Sequence, residues 1–395
     1  MGTDNHDSFT LADVLREGFE DYIRQYGPLP AQQYKVAHAI MRCRTEEMGG
    51  HLYQCEECGY EITLYNSCRN RHCPTCQAYA RLQWVQERIK EALPVPYFHV
   101  VFTLPQQVRD FALRNRAAMY GILFRAVTAT LKELGADTKR LGGMTGLIAV
   151  LHTWTQTLDF HPHLHCIVPG GALSPDKKSW IRVKGNFLFP VPVMRKMFKG
   201  KFMDMFCRAV TSGEIGLHGA LSMYENPAIL EQLVRSLHDK DWVVYAKPPF
   251  ATPDNLIKYL GAYTHRVAIS NNRIVNVENG MVTFRYKDRR DNDRTKCMTL
   301  RIVEFIRRFM THVVPDGFMR MRHYGFLSNK NRAELVPLCK RLLYDGQNGH
   351  REANISDKTL EALTGEDRRV CPHCKQGRLQ MKERIEPLMP FRLAA

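Results

Sequence analysis

The chain has 395 residues, of which 44% are apolar, so it is long enough for two or three domains with hydrophobic cores. Its 56 lysines and arginines outnumber 40 acidic residues, and the resulting formal charge of +16 favours a polyanionic partner such as nucleic acid. The sequence shows neither an apolar run of the roughly 18 residues that a membrane span needs nor a signal peptide, so we expect a cytoplasmic protein with no membrane partner.

Apolar spacing predicts two N-terminal helices, at residues 9–26 and 31–43, and a third at 79–93 that ends before Pro94. β-branched and aromatic residues predict a buried strand at 97–104, and a long helical stretch follows at 106–134. Strands at 147–157 and 164–168 are predicted to pair across a short His-Pro-His connection. The remaining predictions are helices at 193–210, 226–238 and 255–265, a strand at 242–246, and a hairpin over 273–286 that turns at Asn279-Gly280.

Two CxxC pairs, separated by 14 residues, lie between the second and third predicted helices. Four thiolates at this spacing suit one tetrahedral zinc ion, and β-forming residues around the first pair indicate a zinc-ribbon hairpin. Cys68 and His72 lie between the pairs and are further candidate ligands, able to exchange or to support a second metal. We therefore assign the zinc ion to the two pairs, which are Cys55, Cys58, Cys73 and Cys76.

A third CxxC pair, Cys371 and Cys374, lies near the end of the sequence. One such pair is half of a zinc site, and it would need a distant ligand such as Cys339 to complete it. Arg69 and Arg71 flank the N-terminal cysteines, where they either bind DNA phosphate or belong to a solvated loop.

The segment His-Pro-His-Leu-His at residues 161–165 predicts a second kind of metal site. Alternate residues of a strand face the same side, so His163 and His165 project together and form a metal-binding edge. A catalytic divalent ion usually needs a third protein ligand. Gln156 on the preceding strand is the leading candidate, and His152 and His161 compete with it.

Tyr259 and Tyr263 are four residues apart, which places both phenols on one face of the helix predicted at 255–265. Alone, this spacing is typical of a packing stripe. Beside a metal site, a tyrosine can attack a phosphodiester and keep the energy of the broken DNA linkage in a phosphotyrosine ester. His265 and Arg266 follow directly and are candidates for binding a flanking phosphate.

These segments resemble the HUH endonucleases, specifically the two-tyrosine transposases of the insertion-sequence-91 type. The resemblance covers residues from about 20 to 380 and rests on long segments, including SCRNRHCPTCQ, HVVFTLP, HPHLHCIVPGGAL, YLGAYTHRVAISNNRI and FIRRFMTHVVPDGFMRMRHYGFLSN. It implies that His163 and His165 hold Mg²⁺ or Mn²⁺ and that the two tyrosines are nucleophiles. It further implies rolling-circle-like transposition through single-stranded DNA, with a 5′-phosphotyrosine intermediate and a free 3′-OH.

The fold expected from the pattern and the resemblance is α+β. N-terminal helices and a zinc ribbon would precede a ferredoxin-like antiparallel sheet, the HUH nuclease core, with helical insertions. The expected domains are an N-terminal zinc-binding domain at 1–94, a catalytic domain at 95–290 and a basic C-terminal region at 291–395 with a second zinc knuckle. His163 and His165 would lie on a central strand of the sheet.

Arginines interleaved with aromatic residues in the C-terminal region suit binding of single-stranded DNA, although a solvated helix over an ordinary core explains part of the pattern. The DNA-binding candidates there are Arg307, Arg308, Arg320 and Arg322. The expected partners are single-stranded DNA and insertion-sequence ends in the bacterial nucleoid, with host replication or helicase proteins separating the strands, because the chain lacks a Walker A motif. Two alternatives remain open: an HUH replication initiator or relaxase, and a zinc-dependent DNA-binding protein without catalytic activity.

Overall fold

A computed structural model describes residues 9–77, 88, 90–250, 266–344 and 370–388. The helices are α1 (Leu11–Tyr26), α2 (Ala31–Met41), α3 (Arg109–Arg114), α4 (Arg116–Ala136), α5 (Val191–Thr211), α6 (Pro227–Asp239), α7 (Ile302–Met310) and α8 (Arg332–Tyr344). The strands are β1 (Gly50–Cys55), β2 (Glu61–Tyr65), β3 (Tyr97–Thr103), β4 (Leu147–Trp154), β5 (Phe160–Pro169), β6 (Gly171–Leu173), β7 (Trp180–Arg182), β8 (Val244–Phe250), β9 (Ile274–Glu278), β10 (Met281–Asp288), β11 (Arg294–Arg301), β12 (Met321–Tyr324) and β13 (Leu379–Ile385). This architecture confirms the predicted α+β class. No helix in these described ranges is long and apolar enough to span a membrane.

A five-stranded sheet forms the centre of the fold, in the order β12-β4-β5-β3-β8, and every neighbouring pair is antiparallel. One face carries Phe98, Phe102 and Leu164, which belong to the largest apolar core together with residues of α4 and α5. The opposite face carries Ile148 and Ile167, which pack with α8. Because side chains alternate along each strand, the two faces can carry different chemistry.

The predicted connection between the two strands that carry the histidines was wrong. The chain turns at residues 155–159, and β5 already includes the His-Pro-His segment. Thr155 nucleates the turn, because its hydroxyl accepts hydrogen bonds from the backbone N–H groups of Thr157 and Asp159. A bulge between His152 and Trp154 accommodates the irregular pairing beside Pro162.

A second apolar core joins α1, α2 and α7 to the three-stranded sheet β11-β10-β9. Gly18 on α1 permits the close approach of α7, because a Cβ there would lie 2.6 Å from the side chain of Ile302. The predicted hairpin at Asn279-Gly280 is confirmed, and both turn residues have positive φ, as a type I′ turn requires.

A third sheet, in the order β13-β1-β2, contains the predicted zinc-ribbon hairpin and a strand from the C-terminal region. Strand β12 lies in the central sheet, and α7 packs against α1. The predicted segment 291–395 is therefore not one spatial unit, because its described parts belong to three different sheets and cores. Pairing between distant segments leaves no local signal in the sequence. The domain boundaries predicted from the sequence therefore did not include this pairing.

Candidate functional site

Strand β5 is the middle strand of the central sheet and places the side chains of His163 and His165 on the same face. On one side, His152 of β4 lies directly opposite His163. On the other side, β3 contributes His99, which pairs with Ile167 and faces the same way as the two β5 histidines. Four histidines from three adjacent strands thus meet on the face opposite α4 and α5.

The imidazoles are in direct contact. His163 Nε2 and His165 Nε2 lie 3.1 Å apart, and the ring centroid of His152 is 4.4 Å from that of His165 and 5.6 Å from that of His163. Candidate ligand nitrogens of these three residues all lie within 4.8 Å of one another. Two nitrogens bound to one ion at about 2.1 Å would be roughly 3.0–3.4 Å apart, so the observed spacing fits a shared metal ion.

Hydrogen bonds at the other ring nitrogens determine which nitrogen faces the metal position. The carbonyl oxygen of His161 accepts from His163 Nδ1 at 2.7 Å, which leaves the Nε2 lone pair for a ligand. His165 Nδ1 and His99 Nε2 are hydrogen-bonded at 2.8 Å, and their rings are stacked. When His165 donates in this bond, its Nε2 is likewise available, so His99 orients His165 without being in the three-ligand group.

Burial lowers the pKa of His99, His163 and His165. The pKa of His99 falls to about 3, through burial and then through the charge of Lys247. The pKa of His163 falls to about 4, first through burial and then through the charges of His161, Arg289 and Arg266, although the hydrogen bond to His161 opposes this. Burial also holds the pKa of His165 well below its usual value. Neutral imidazoles are the form that binds a metal ion.

The structure brings His152, the competitor of Gln156, to the histidine pair. Gln156 lies in the turn beyond Trp154, and its carbonyl oxygen accepts a hydrogen bond from Arg273 at 2.5 Å. The bulge after His152 directs the turn residues away from the regular ladder. His152 is therefore the third ligand that this geometry supports, whereas Gln156 stays a prediction and His161 is exposed.

The two predicted nucleophiles, Tyr259 and Tyr263, and the neighbouring His265 lie outside the described residues. Arg266 is described, and its positive charge contributes to the lowered pKa of both His163 and His165. The segment that follows the tyrosines thus passes within electrostatic reach of the imidazoles.

The N-terminal cysteines form two clusters, so the prediction that both CxxC pairs share one zinc ion was wrong. Cys73 and Cys76 lie with Cys68 and with Cys43 at the end of α2, and the Sγ–Sγ distances are 3.5 Å for Cys68–Cys76, 3.6 Å for Cys43–Cys76 and 3.7 Å for Cys43–Cys73. Cys43 belongs to no CxxC pair, so spacing gave no reason to include it. This group is called the helix-end cluster below.

The first CxxC pair, Cys55 and Cys58, instead meets the C-terminal pair, Cys371 and Cys374. This group is called the ribbon cluster below. Cys339, which was the suggested partner for the C-terminal pair, lies on α8 with its side chain buried in the core and belongs to neither cluster. His72 is also outside both clusters: it is buried, and desolvation holds its pKa well below the usual value.

Two of the predicted DNA-binding arginines flank the helix-end cluster in different environments. Arg69 is exposed, with a positive φ of 51°. Arg71 donates hydrogen bonds to the carbonyl oxygens of Phe318 and Pro315, so it ties the zinc-binding region to the segment before β12. The structural role of Arg71 is therefore clear, whereas Arg69 remains a prediction for DNA contact.

The C-terminal arginines are mostly engaged within the protein. Arg307 and Arg308 both pair with Glu304, at 2.6 and 2.7 Å. Arg322 lies over the rings of Phe124 and Phe318, at 4.3 and 5.0 Å from their centroids. Arg320 is nearer the histidines, because its guanidinium lies over the ring of Trp154, which itself stacks on His152.

Comparisons with known proteins relate this chain to transposases. Residues 146–334, which include β4 and β5, match a family model described as "Putative transposase", and residues 14–104 match one described as "Transposase zinc-binding domain". A Sinorhizobium fredii protein described as "Putative transposase y4qJ" is 45% identical over 372 residues, covering 93% of this chain and 94% of that protein. The "Transposase for insertion sequence element IS801" of Pseudomonas savastanoi pv. phaseolicola is 25% identical over 319 residues, covering 80% of this chain and 75% of that protein. None of the solved structures matches the chain.

Proposed function

Because the chain belongs to the insertion-sequence-91 type of transposases, with an N-terminal zinc-binding domain, we propose that it cuts and rejoins single-stranded DNA at insertion-sequence ends through tyrosine nucleophiles. Binding of insertion-sequence ends follows from membership of the family, whereas the cutting and rejoining of single-stranded DNA through tyrosines is our proposal. The observation that carries it is the convergence of three imidazoles, two on the middle strand β5 and one on the adjacent strand β4, on one face of the sheet.

The residues at this position suit a divalent cation. His152, His163 and His165 would hold it, and His99 would orient His165. When bound, such an ion polarises the scissile phosphate and offsets the charge that develops on its oxygens. Of the two ions predicted, Mn²⁺ is the better match, because Mg²⁺ prefers oxygen ligands and all three candidate donors are nitrogens.

The tyrosines are assigned through their position in the chain. Tyr263 precedes Arg266 by three residues, so their Cα atoms are within about 11 Å in any conformation. Arg266 in turn acts electrostatically on His163 and His165. We therefore propose that the phenol of Tyr263, and that of Tyr259 four residues earlier, reach a phosphate bound at the imidazoles.

In the proposed reaction, a tyrosine Oη attacks the phosphorus atom of the DNA backbone. The new bond joins Oη to the 5′-phosphate, the bond from phosphorus to the 3′ oxygen breaks, and that oxygen takes up a proton while the phenol loses one. The reverse reaction with a second 3′-OH rejoins DNA without ATP. Two tyrosines permit two successive transfers, and host replication or helicase proteins would supply the separated strands.

The proposal is tested with single-stranded oligonucleotides that contain the element end, labelled at either terminus and incubated with Mn²⁺. Denaturing electrophoresis should show a protein-linked band that carries the 3′-terminal label and is absent without metal. Tyr259→Phe and Tyr263→Phe together should abolish it, and His163→Ala should reduce it at least 100-fold. Tyr65→Phe, on the exposed zinc ribbon, and His238→Ala, at the end of α6, are matched controls that should retain it.

If wild-type protein binds the element end but forms no adduct with either label, the proposed chemistry is wrong and the protein is a DNA-binding protein without this activity. If the adduct persists in the double tyrosine variant, the nucleophile is another residue.

A further inference from the structure

The ribbon cluster joins cysteines from opposite ends of the described chain. Cys58 Sγ lies 3.7 Å from Cys371 Sγ, although the two residues are 313 positions apart in the sequence. Cys55 Sγ lies 3.7 Å from Cys374 Sγ. Four ligands at about 2.3 Å around a tetrahedral zinc ion would have sulfurs roughly 3.8 Å apart, so the spacing fits one ion.

The two knuckles have matching local structure. In the first, Gly59 N–H donates to the carbonyl of Cys55, and in the second, Lys375 N–H donates to the carbonyl of Cys371. Gly59 and Lys375 both have positive φ, at 71° and 58°, so each CxxC turn closes in the same way. Such paired turns are the usual halves of a zinc ribbon.

The knuckles also bond directly to each other. Glu56 N–H donates to the carbonyl of Arg378, and the carboxylate of Glu56 accepts from Arg378 N–H and from the Gln380 side chain, both at 3.2 Å. Gly377 permits this contact, because a Cβ there would lie 2.6 Å from Cys55 Sγ. The side-chain positions are therefore supported by backbone pairing that continues into the β1–β13 ladder.

We infer that the protein binds two structural zinc ions, and that the second is held jointly by Cys55 and Cys58 from the N-terminal region and by Cys371 and Cys374 from the C-terminal region. The first ion belongs to the helix-end cluster. The family model for the zinc-binding domain ends at residue 104, so it contains only half of the second site.

This second ion acts as a cross-link between the N-terminal and C-terminal regions. It holds β13 against β1, and the β1–β2 hairpin alone offers the ion only two thiolates. The ribbon site can therefore form only after residue 374 has been synthesised, whereas every ligand of the helix-end cluster precedes residue 77.

Zinc content of purified full-length variants tests the assignment. Wild type should contain two zinc ions per chain. Replacing either ribbon pair by serine, as Cys55→Ser with Cys58→Ser or Cys371→Ser with Cys374→Ser, should remove one ion, and combining all four should still remove only one. Combining the C-terminal pair with Cys73→Ser and Cys76→Ser should remove both, whereas Cys297→Ser, an exposed cysteine outside the clusters, should remove none.

If the four-cysteine ribbon variant loses both ions, or if the C-terminal pair can be replaced without loss of zinc, the shared site is wrong.

A measurement on wild-type protein avoids dependence on the folding of variants. As a chelator removes zinc in steps, alkylation mapped by mass spectrometry should show the four ribbon thiols becoming reactive together. Reaction of Cys371 and Cys374 while Cys55 and Cys58 stay protected would overturn the inference. Neither measurement depends on DNA cleavage.

Discussion

His99 offers a prediction that separates the orientation of a metal ligand from simple core packing. The change is His99→Phe, which keeps a ring of similar size in the buried position but removes the nitrogen bonded to His165 Nδ1 at 2.8 Å. Loss of a partner of this kind typically lowers metal affinity about 10–100-fold, which corresponds to roughly 1.4–2.7 kcal/mol. Loss of this buried hydrogen bond should also lower the free energy of unfolding by about 1–3 kcal/mol.

The assay is a Mn²⁺ titration of metal binding by calorimetry on zinc-loaded protein, with urea unfolding measured in parallel. His312→Phe is the matched control, because His312 is also buried with its pKa lowered to about 3, but it bonds to Thr153 Oγ1 and to the Leu158 carbonyl. The control should lose stability without a comparable loss of Mn²⁺ affinity. If His99→Phe loses stability but binds Mn²⁺ as wild type does, His99 is a packing residue and the reasoning fails.

Three further predictions concern the zinc ribbon, the metal preference and the pH dependence. Gly377→Ala should lower zinc content by one ion per chain, because its Cβ would lie 2.6 Å from Cys55 Sγ, whereas Gly200→Ala on α5, with open space around its Cβ, should keep both ions; equal zinc content in the two variants would contradict the packing argument. DNA cleavage should require a lower concentration of Mn²⁺ than of Mg²⁺, and the opposite order in a metal titration would count against three nitrogen ligands. Burial lowers the pKa of His312 from its ordinary value of 6.5 to about 3 in the folded state, so its contribution to stability is complete above pH 6.5 and declines by about 1.4 kcal/mol per pH unit as the pH falls towards 3. Urea unfolding from pH 7 to 4 should therefore show a shallower decline in His312→Phe than in wild type, and parallel curves would refute this contribution.

Sequence patterns predicted the elements whose signals are local. The alternation of residues in a strand placed His163 and His165 on one face, and the flanking β-formers identified the β1–β2 hairpin. Asn279-Gly280 specified its turn because both residues tolerate positive φ. In each case, the physical constraint acts between residues that are close in the chain, so the sequence pattern predicts it.

The members of the metal sites that the sequence patterns did not predict depend on contacts between distant segments. Cys43 has no neighbouring cysteine, and it joins the helix-end cluster only because α2 ends there. Cys371 and Cys374 reach Cys55 and Cys58 through β13, whose pairing with β1 could not be read from spacing. His99 stands alone in an apolar strand, and only the register of β3 against β5 brings it to His165. A lone histidine in a predicted central strand that neighbours a histidine-rich strand is the signal that would have identified it.

Covalent attachment of DNA to Tyr259 or Tyr263 can be tested by identifying the residue to which the DNA is bonded. Wild-type protein would be incubated with the single-stranded element end and Mn²⁺, digested with nuclease and protease, and mapped by tandem mass spectrometry. We expect a nucleotide attached through its 5′-phosphate to Tyr259 or Tyr263, and no such peptide from His152→Ala protein. A nucleotide attached to any other residue, or an undiminished tyrosine adduct in the His152→Ala variant, would contradict it.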